Sequence, residues 1–312
     1  MRILISGGTG FIGGRLAAHL SRLGHQVIIG SRKPKLSLDW LEDAKLVQMD
    51  WNDQNELSLI CHDIDIVIHS AGMNAEDCLA SPIEAINFNG VTTARFVSAA
   101  VKAGVKKFIY LSSAHVYSSP LTGTITEKTC PTNLHPYATS HLTGEQAVLF
   151  AGYSNLIQSV VLRMSNLVGA PMHKEVNCWS LLTNNLCRQA VETKQLVLNS
   201  NGLFQRDFLG ISEAVKIISY LINYKDETIK SEIFNLGAGR SLTLLHLAQL
   251  VQTRCEVVLG FKPDILAKSV DINNSLNFSI EKLEKYIVKV NSNLVSDIDE
   301  LLNFCFQKFG MQ

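Results

Sequence analysis

The segment HPYATSHLTGEQAV, residues 135–148, sets Tyr137 and His141 four residues apart at the start of a stretch that reads as a helix. Residues at i and i+4 share one helical face, so phenol and imidazole point the same way. They are either an acid-base couple or two neighbouring surface side chains. Hydride transfer to or from a carbonyl would use the couple, because it needs one group to move the proton of the carbinol oxygen and a donor to hold that oxygen. Tyrosine, with a reference pKa of about 10, is a poor base at neutral pH and needs a nearby cation to stabilise its phenolate. Ser112 and Ser113 close the run KFIYLSS (107–113). They lie at the carboxyl edge of a strand, where open α/β sheets place their ligands.

A second set of residues has the spacing of a phosphate cradle. GGTGFIG follows the apolar run RILIS (2–6) and opens an amphipathic stretch, with Gly7, Gly10 and Gly13 spaced G-x-x-G-x-x-G. Glycine lets the backbone turn sharply and approach a pyrophosphate, which helix N-terminal N–H groups then hold. Gly7, Thr9, Gly10, Phe11, Ile12 and Gly13 are therefore the candidate dinucleotide loop. At the end of the second strand a site for NAD carries an acid for the ribose 2′-OH, whereas a 2′-phosphate wants arginine and no carboxylate. This chain has Ser31 there, followed by Arg32 and Lys33. NADP is favoured, with NAD the alternative and plain solvation the competing role for the basic pair. Asp50 and Trp51, in MDWND, are candidates for the adenine, with helix N-capping the competing role for Asp50 and for Asp53.

These residues need a scaffold, and the apolar periodicity supplies one. RILIS, QVIIG (26–30), KLVQM (45–49), DIVIHS (65–70), KFIYLSS and SVVLRMS (159–165) read as strands. Segments 11–24, 54–61 and 83–104 between them read as helices. The alternation predicts an α/β fold, a doubly wound Rossmann-type parallel sheet over 1–168. A smaller mixed C-terminal lobe follows over 169–312, with elements after 200 returning to the sheet. In that lobe RDFLGISEAVKIISYLI is expected to be a turn and then a helix.

Composition narrows the function classes. The chain has 312 residues, is 46% hydrophobic and carries 28 basic and 28 acidic side chains. It can bury a core, and without a basic run nucleic acid is a poor partner. Seven cysteines, an odd number without a Cys-x-x-Cys pair, point to a reducing, cytoplasmic setting and away from a disulfide framework or a metal site. MRILISGGTGFIGG is interrupted by glycines and reads as strand and turn, not as a signal peptide. No run of about 18 apolar residues suggests a membrane span.

The motifs, taken in order, closely resemble those of the extended short-chain dehydrogenase/reductase family, in its NAD(P)-dependent epimerase/dehydratase branch acting on nucleotide sugars. GGTGFIG matches the glycine motif, and HSAG (69–72) resembles the His-x-Ala-Ala/Gly turn, which adds Ala71 and Gly72 to the cofactor set. NFNGVT (87–92) resembles the Asn-x-x-Gly-Thr helix. LSSAHVY (111–117) resembles Ser-Ser-x-x-Val-Tyr and puts Ser113 at the catalytic Ser/Thr. PYATSHLTGE resembles Pro-Tyr-x-x-Ser-Lys-x-x-x-Glu and puts Tyr137 at the catalytic tyrosine. LRMSNLVGAP, QRDFLGISEA and FNLGAGRSLTLLHLA follow family segments in order, so the resemblance covers nearly the whole length.

The departure is His141, where the family has the lysine that holds the nicotinamide ribose and lowers the tyrosine pKa. Histidine, with a reference pKa of about 6.5, is mostly neutral at pH 7 and is the weaker activator unless a neighbour raises its pKa. Either an active enzyme results, with Ser113, Tyr137 and His141 catalytic, or a catalytically weak NADP-binding sensor or subunit. The resemblance further implies that Asn166 and Arg206 contact the diphosphate of a nucleoside-diphosphate sugar; an ion pair with Asp207 is the competing role for Arg206. Family 4,6-dehydratases carry an acidic pair after the catalytic Ser/Thr, and here Ala114 and His115 stand there. A 4-keto-sugar reductase is expected, with a C4 epimerase next; related reductases that take phenolic or aliphatic ketones mark a third substrate class. Helices 83–104 and 137–152 correspond to the family's common four-helix interface, so a homodimer is expected.

Overall fold

Arg2–Ser6 is apolar on both faces of a two-residue repeat, which suits a strand covered on both sides in a parallel sheet. The computed structural model describes residues 1–32, 39–41, 44–224, 230–270 and 274–310. It begins with strand β1 (Arg2–Ser6), helix α1 (Phe11–Arg22), β2 (Gln26–Ser31), β3 (Lys45–Gln48), α2 (Gln54–Ile60) and β4 (Ile66–His69). There follow α3 (Ala75–Ala80), α4 (Pro82–Ala85), a π-helical turn (Ile86–Thr92), α5 (Thr93–Lys102), β5 (Lys107–Ser113), β6 (Gly123–Ile125), α6 (Pro136–Tyr153) and β7 (Gln158–Met164). The remainder comprises β8 (Asn166–Val168), α7 (Leu182–Thr193), β9 (Gln195–Leu198), β10 (Gln205–Gly210), α8 (Ile211–Asn223), β11 (Ser231–Leu236) and β12 (Ser241–Thr243). It ends with α9 (Leu244–Leu259), β13 (Asp264–Ala267), β14 (Leu276–Phe278), α10 (Glu281–Tyr286) and α11 (Leu294–Phe309).

The chain divides into two compact units. The first comprises Met1–Ser119, Thr129–Met164 and Ile218–Asn235. Its seven-stranded sheet has the order β11-β7-β5-β4-β1-β2-β3. The reversal from β1–β2–β3 to β4–β5–β7 is the doubly wound pattern expected from the alternation of apolar runs. β11 joins from far along the chain: Lys230 and Leu236 carbonyls accept from Ser159 and Ser165 N–H, which keeps the edge strand parallel to β7. Leu4, Val67, Phe96, Phe108, Tyr110, Val148 and Val161 belong to one buried cluster of this unit. The second unit comprises Pro120–Lys128, Ser165–Ile217 and Leu236–Gln312. It holds a three-stranded sheet β12-β10-β8, the pairs β13-β9 and β14-β6, and a core built on α7, α9 and α11.

Two expectations change. Residues 83–104 are not one regular α-helix, because the π turn over Ile86–Thr92 interrupts them. A Cβ on Gly90 would sit 2.9 Å from Thr143 of α6, and Asn89 is turned inward with its amide donating to Ser140 Oγ at 3.0 Å. The wider turn accommodates both close approach and an inward polar side chain. The segment ahead of α8 is a strand, β10, rather than a turn. Alternation puts Asp207 inside, where its carboxylate accepts from Ala238 and Arg240 N–H at 2.8 and 3.1 Å.

Candidate active site

The glycine loop is shaped by backbone proximity. Gly7 has φ +67°, a conformation that favours glycine, and a Cβ there would lie 2.8 Å from Ala71 N. A Cβ on Gly13 would lie 2.3 Å from the Gly7 carbonyl oxygen. Gly10 caps α1 without a side chain, and the first turn carries no acid, so the positive end of the helix dipole is not offset locally. The cradle therefore fits a pyrophosphate. Thr9, Gly10 and Phe11 are partly exposed around it, whereas Ile12 is turned into the core. Ser70 N–H and hydroxyl both bond to the Ser6 carbonyl, which keeps Ala71 and Gly72 beside the loop.

At the end of β2, Ser31 is buried and its carbonyl accepts from Met49 N–H at 2.9 Å. Arg32 is exposed and lays its guanidinium over Phe88, 5.4 Å from the ring centroid. Lys33 lies outside the described residues. Asp50 is exposed and accepts from Asn52 N–H, while Asp53 caps α2 by accepting from Asn55 and Glu56 N–H. Trp51 is buried against His69, Phe88 and Phe96, and its indole N–H has no partner among the described residues. It forms a wall behind Phe88 rather than an exposed stacking platform.

The candidate acid-base residues are set by α6. His135 caps it, its Nδ1 accepting from Tyr137 N–H at 3.2 Å, and Pro136 occupies the first turn. Tyr137, His141 and Glu145, four apart, face the sheet. Glu145 is fully buried; it accepts from Ser112 Oγ at 2.5 Å and from Arg163 Nε and Nη2 at 3.0 and 2.6 Å. Ser112 is thus committed to a buried ion pair that ties α6 to β5 and β7. Ser113 is not drawn into that pair: it accepts from His115 N–H and hydrogen-bonds Tyr137.

The rings of Tyr137 and His141 meet edge to face at 4.5 Å. Burial pushes the Tyr137 phenol above its ordinary value, opposed by the Ser113 hydrogen bond. Burial also pulls His141 down to about 4, so it is neutral at pH 7. Among the described residues no neighbour raises it, which removes the one condition under which histidine would replace the lysine charge. On its far side, His141 Nδ1 lies 2.8 Å from Tyr110 Oη. A Cβ on Gly72 would lie 3.5 Å from Cε1 and 3.7 Å from Nε2 of His141.

Several residues of this layer carried no sequence expectation. Parallel register aligns Ser6 with His69 and His69 with Tyr110 across β1, β4 and β5. Ser6 Oγ lies 2.6 Å from His69 Nδ1, His69 Nε2 lies 2.9 Å from Thr93 Oγ1, and Thr93 donates to the Asn89 carbonyl at 2.7 Å. Asn89 Oδ1 accepts from Met73 N–H at 2.8 Å. The signal available in sequence was a tyrosine inside the otherwise apolar FIYL, since a buried phenol demands a partner.

In the second unit, Asn166 and Arg206 lie on the adjacent strands β8 and β10. Asn166 donates to the Asp207 carbonyl at 2.9 Å. Arg206 forms no ion pair among the described residues and lies over Phe204, while burial lowers its pKa. Burial pushes Asp207 up to about 6. Asp207 turns to the opposite side of the strand, so the competing ion pair is not formed. Among the described residues, no cluster of His, Cys, Asp and Glu could hold a metal ion, and no helix is long and apolar enough to cross a membrane.

Residues 3–237 match the model of the NAD dependent epimerase/dehydratase family. Similar proteins include a UDP-glucose 4-epimerase of Neisseria meningitidis serogroup C, 27% identical over 289 residues and 84% of each chain. A dTDP-D-glucose 4,6-dehydratase of Mus musculus is 27% identical over 80% of this chain and 72% of its own. Among solved structures, UDP-glucose 4-epimerase from Bifidobacterium longum in complex with NAD+ and UDP superposes with a TM-score of 0.81 at 26% identity, covering 99% of both chains. UDP-N-acetylglucosamine 4-epimerase from Methanobrevibacter ruminantium M1 shares the fold, with a TM-score of 0.85 at 21% identity. With its glycine cradle, its Ser113 and Tyr137 and its doubly wound sheet, this chain belongs to the NAD dependent epimerase/dehydratase family, in the extended branch of the short-chain dehydrogenases/reductases.

Proposed function

We propose that this protein is a 4-keto reductase of a nucleoside-diphosphate sugar, with Tyr137 as proton donor, Ser113 holding the reacting oxygen and His141 as a neutral helper. The observation that carries this reading is the buried, uncharged His141 beside Tyr137. With no cation among the described residues to favour phenolate, Tyr137 rests as a phenol, which is the acid that reduction of a ketone consumes. Oxidation of a carbinol would start from phenolate, the form this environment disfavours. A bound nicotinamide dinucleotide supplies the hydride, and Gly7–Gly13, Ala71 and Gly72 would hold it. Ser31 and Arg32 support NADP, because no carboxylate stands at the ribose position and a guanidinium lies beside it. Asn166 and Arg206 would contact the diphosphate, and the absence of a partner acid on Arg206 among the described residues supports that role.

A second reading, oxidation and re-reduction at C4 as in an epimerase, is supported by the relatives, which include 4-epimerases from several bacteria. Dehydration has less support, since Ala114 and His115 follow Ser113 where dehydratases carry acids. The experiment is to denature the purified protein, identify any released dinucleotide, titrate the emptied protein with NADPH and NADH, and screen 4-keto nucleotide sugars. An empty site that prefers NADPH and turns over a 4-keto sugar supports the reductase. Tightly retained NAD with interconversion of UDP-sugars refutes it in favour of the epimerase. Loss of turnover in Tyr137→Phe with the biological role intact points to the binding-protein alternative. A reducing compartment fits the seven free thiols. A homodimer fits the exposed Ile83, Ile86 and Val91 and, on α6, the exposed Phe150 and Tyr153, and sedimentation of the wild type against Ile83→Lys tests it.

A further inference from the structure

The buried polar layer beneath α6 dictates where its protons sit. Thr93 has one hydroxyl proton, and it is committed to the Asn89 carbonyl at 2.7 Å. His69 Nε2, 2.9 Å from Thr93 Oγ1, must then be the donor in that contact. The neutral His69 ring is left with Nδ1 as acceptor, and Ser6 Oγ donates to it at 2.6 Å. This chain of donors runs from β1 to the π turn and ends on a carbonyl.

Tyr110 stands beside that chain, fully buried and packed under Gly144, where a Cβ would meet its Oη at 3.0 Å. Thr93 adjoins the phenol but has no proton to give it, and already accepts from His69. The other partner of the phenol is His141 Nδ1, at 2.8 Å. Thr93 Oγ1 keeps a second lone pair, but the imidazole nitrogen is the stronger acceptor of the two, so Tyr110 donates to Nδ1. His141 then carries its own proton on Nε2, on the ring edge that faces Gly72.

We propose that Tyr110 is a positioning residue that fixes His141 as the Nε2–H tautomer. His141 then serves as a neutral hydrogen-bond donor toward the ribose of the dinucleotide, where the family's lysine would be a charged one. The donor role rests on the function proposed above; the tautomer does not. The titratable groups that meet the ring are Tyr137 from α6, Tyr110 from β5 and His69 from β4, with Cys78 of α3 acting on Tyr137. None of them is a cation at neutral pH. A lysine at 141 has three donors and needs no tautomer set, so Tyr110 matters only while residue 141 is histidine.

The test uses the full chain with 15N-labelled histidine, the His141 signals being assigned by their loss in His141→Gln. Long-range 1H–15N correlation is expected to show a proton on Nε2 in the wild type and a mixture of tautomers in Tyr110→Phe. A wild-type proton on Nδ1 overturns the proposal, because Tyr110 would then be accepting from His141 and donating to Thr93. This result is read without any turnover, so it stands even if no nucleotide sugar is a substrate. Where turnover is found, Tyr110→Phe should lower kcat/KM about tenfold, the size of one lost hydrogen bond. That loss should shrink below about twofold in the His141→Lys background. An equal loss in both backgrounds shows that Tyr110 acts only on packing and overturns the proposal.

Discussion

Replacing His141 by lysine puts a charge where the wild-type side chain has none, and the structure sets the size of the effect. The rings of Tyr137 and His141 are 4.5 Å apart between centroids. At an effective dielectric of about 20, a unit charge at about that distance stabilises phenolate by roughly 3–4 kcal/mol, or about 2–3 pKa units. The burial that pulls His141 down to about 4 also acts on an ammonium, so the lower end of that range is the expected value. The assay is ultraviolet difference titration of the phenolate band, wild type and His141→Lys each referenced to its own Tyr137→Phe counterpart. The Tyr137 ionisation should move down by about 2 units in His141→Lys, and oxidation of a carbinol substrate at pH 7 should quicken more than reduction of its ketone. Superimposable titrations would refute the reasoning, since they would mean that the site already holds a cation or that Tyr137 is insulated from residue 141.

Gly13→Ala places a Cβ 2.3 Å from the Gly7 carbonyl oxygen, so calorimetry should show dinucleotide affinity falling by at least about tenfold with no change in the second unit; unaltered affinity would remove the cradle reading. Arg163→Met leaves Glu145 buried without its counter-charge, which should cost about 3–5 kcal/mol in urea unfolding of the first unit. Adding Glu145→Leu should recover most of that loss, and a single-variant cost below about 1 kcal/mol would show that solvent reaches the pair. The folded-state pKa of His141 lies below the unfolded value near 6.5, so the unfolded chain binds the proton first and stability is lost as pH falls from about 6.5 through about 4. The full loss is about 3 kcal/mol for this ring, and His141→Gln should flatten that part of the urea-midpoint profile.

Much of the scaffold was legible because its signals are local. The strands 2–6 and 107–113 have the expected ends, and α6 begins within one residue of its predicted start. Pro136 and the capping His135 fix that start from neighbouring residues alone. The π turn was not legible, because it answers to contacts with α6: Gly90 against Thr143 and Asn89 against Ser140. The strand character of Gln205–Gly210 also depends on remote partners, namely β8 on one side and β12 on the other.

For the site, sequence determined the identities that the proposed chemistry requires: glycines where the backbone must turn tightly, the serine and tyrosine proposed for the oxygen, and histidine in place of lysine. Those are properties of residue type and spacing. Tertiary structure decided the division of labour between Ser112 and Ser113, because only packing sets Glu145 and Arg163 beside the first and Tyr137 beside the second. It also decided the charge of His141. A side chain's pKa depends on what surrounds it, and here burial between Tyr137, Tyr110 and Gly72 keeps the ring neutral, with its partners drawn from strands and loops far apart in the chain.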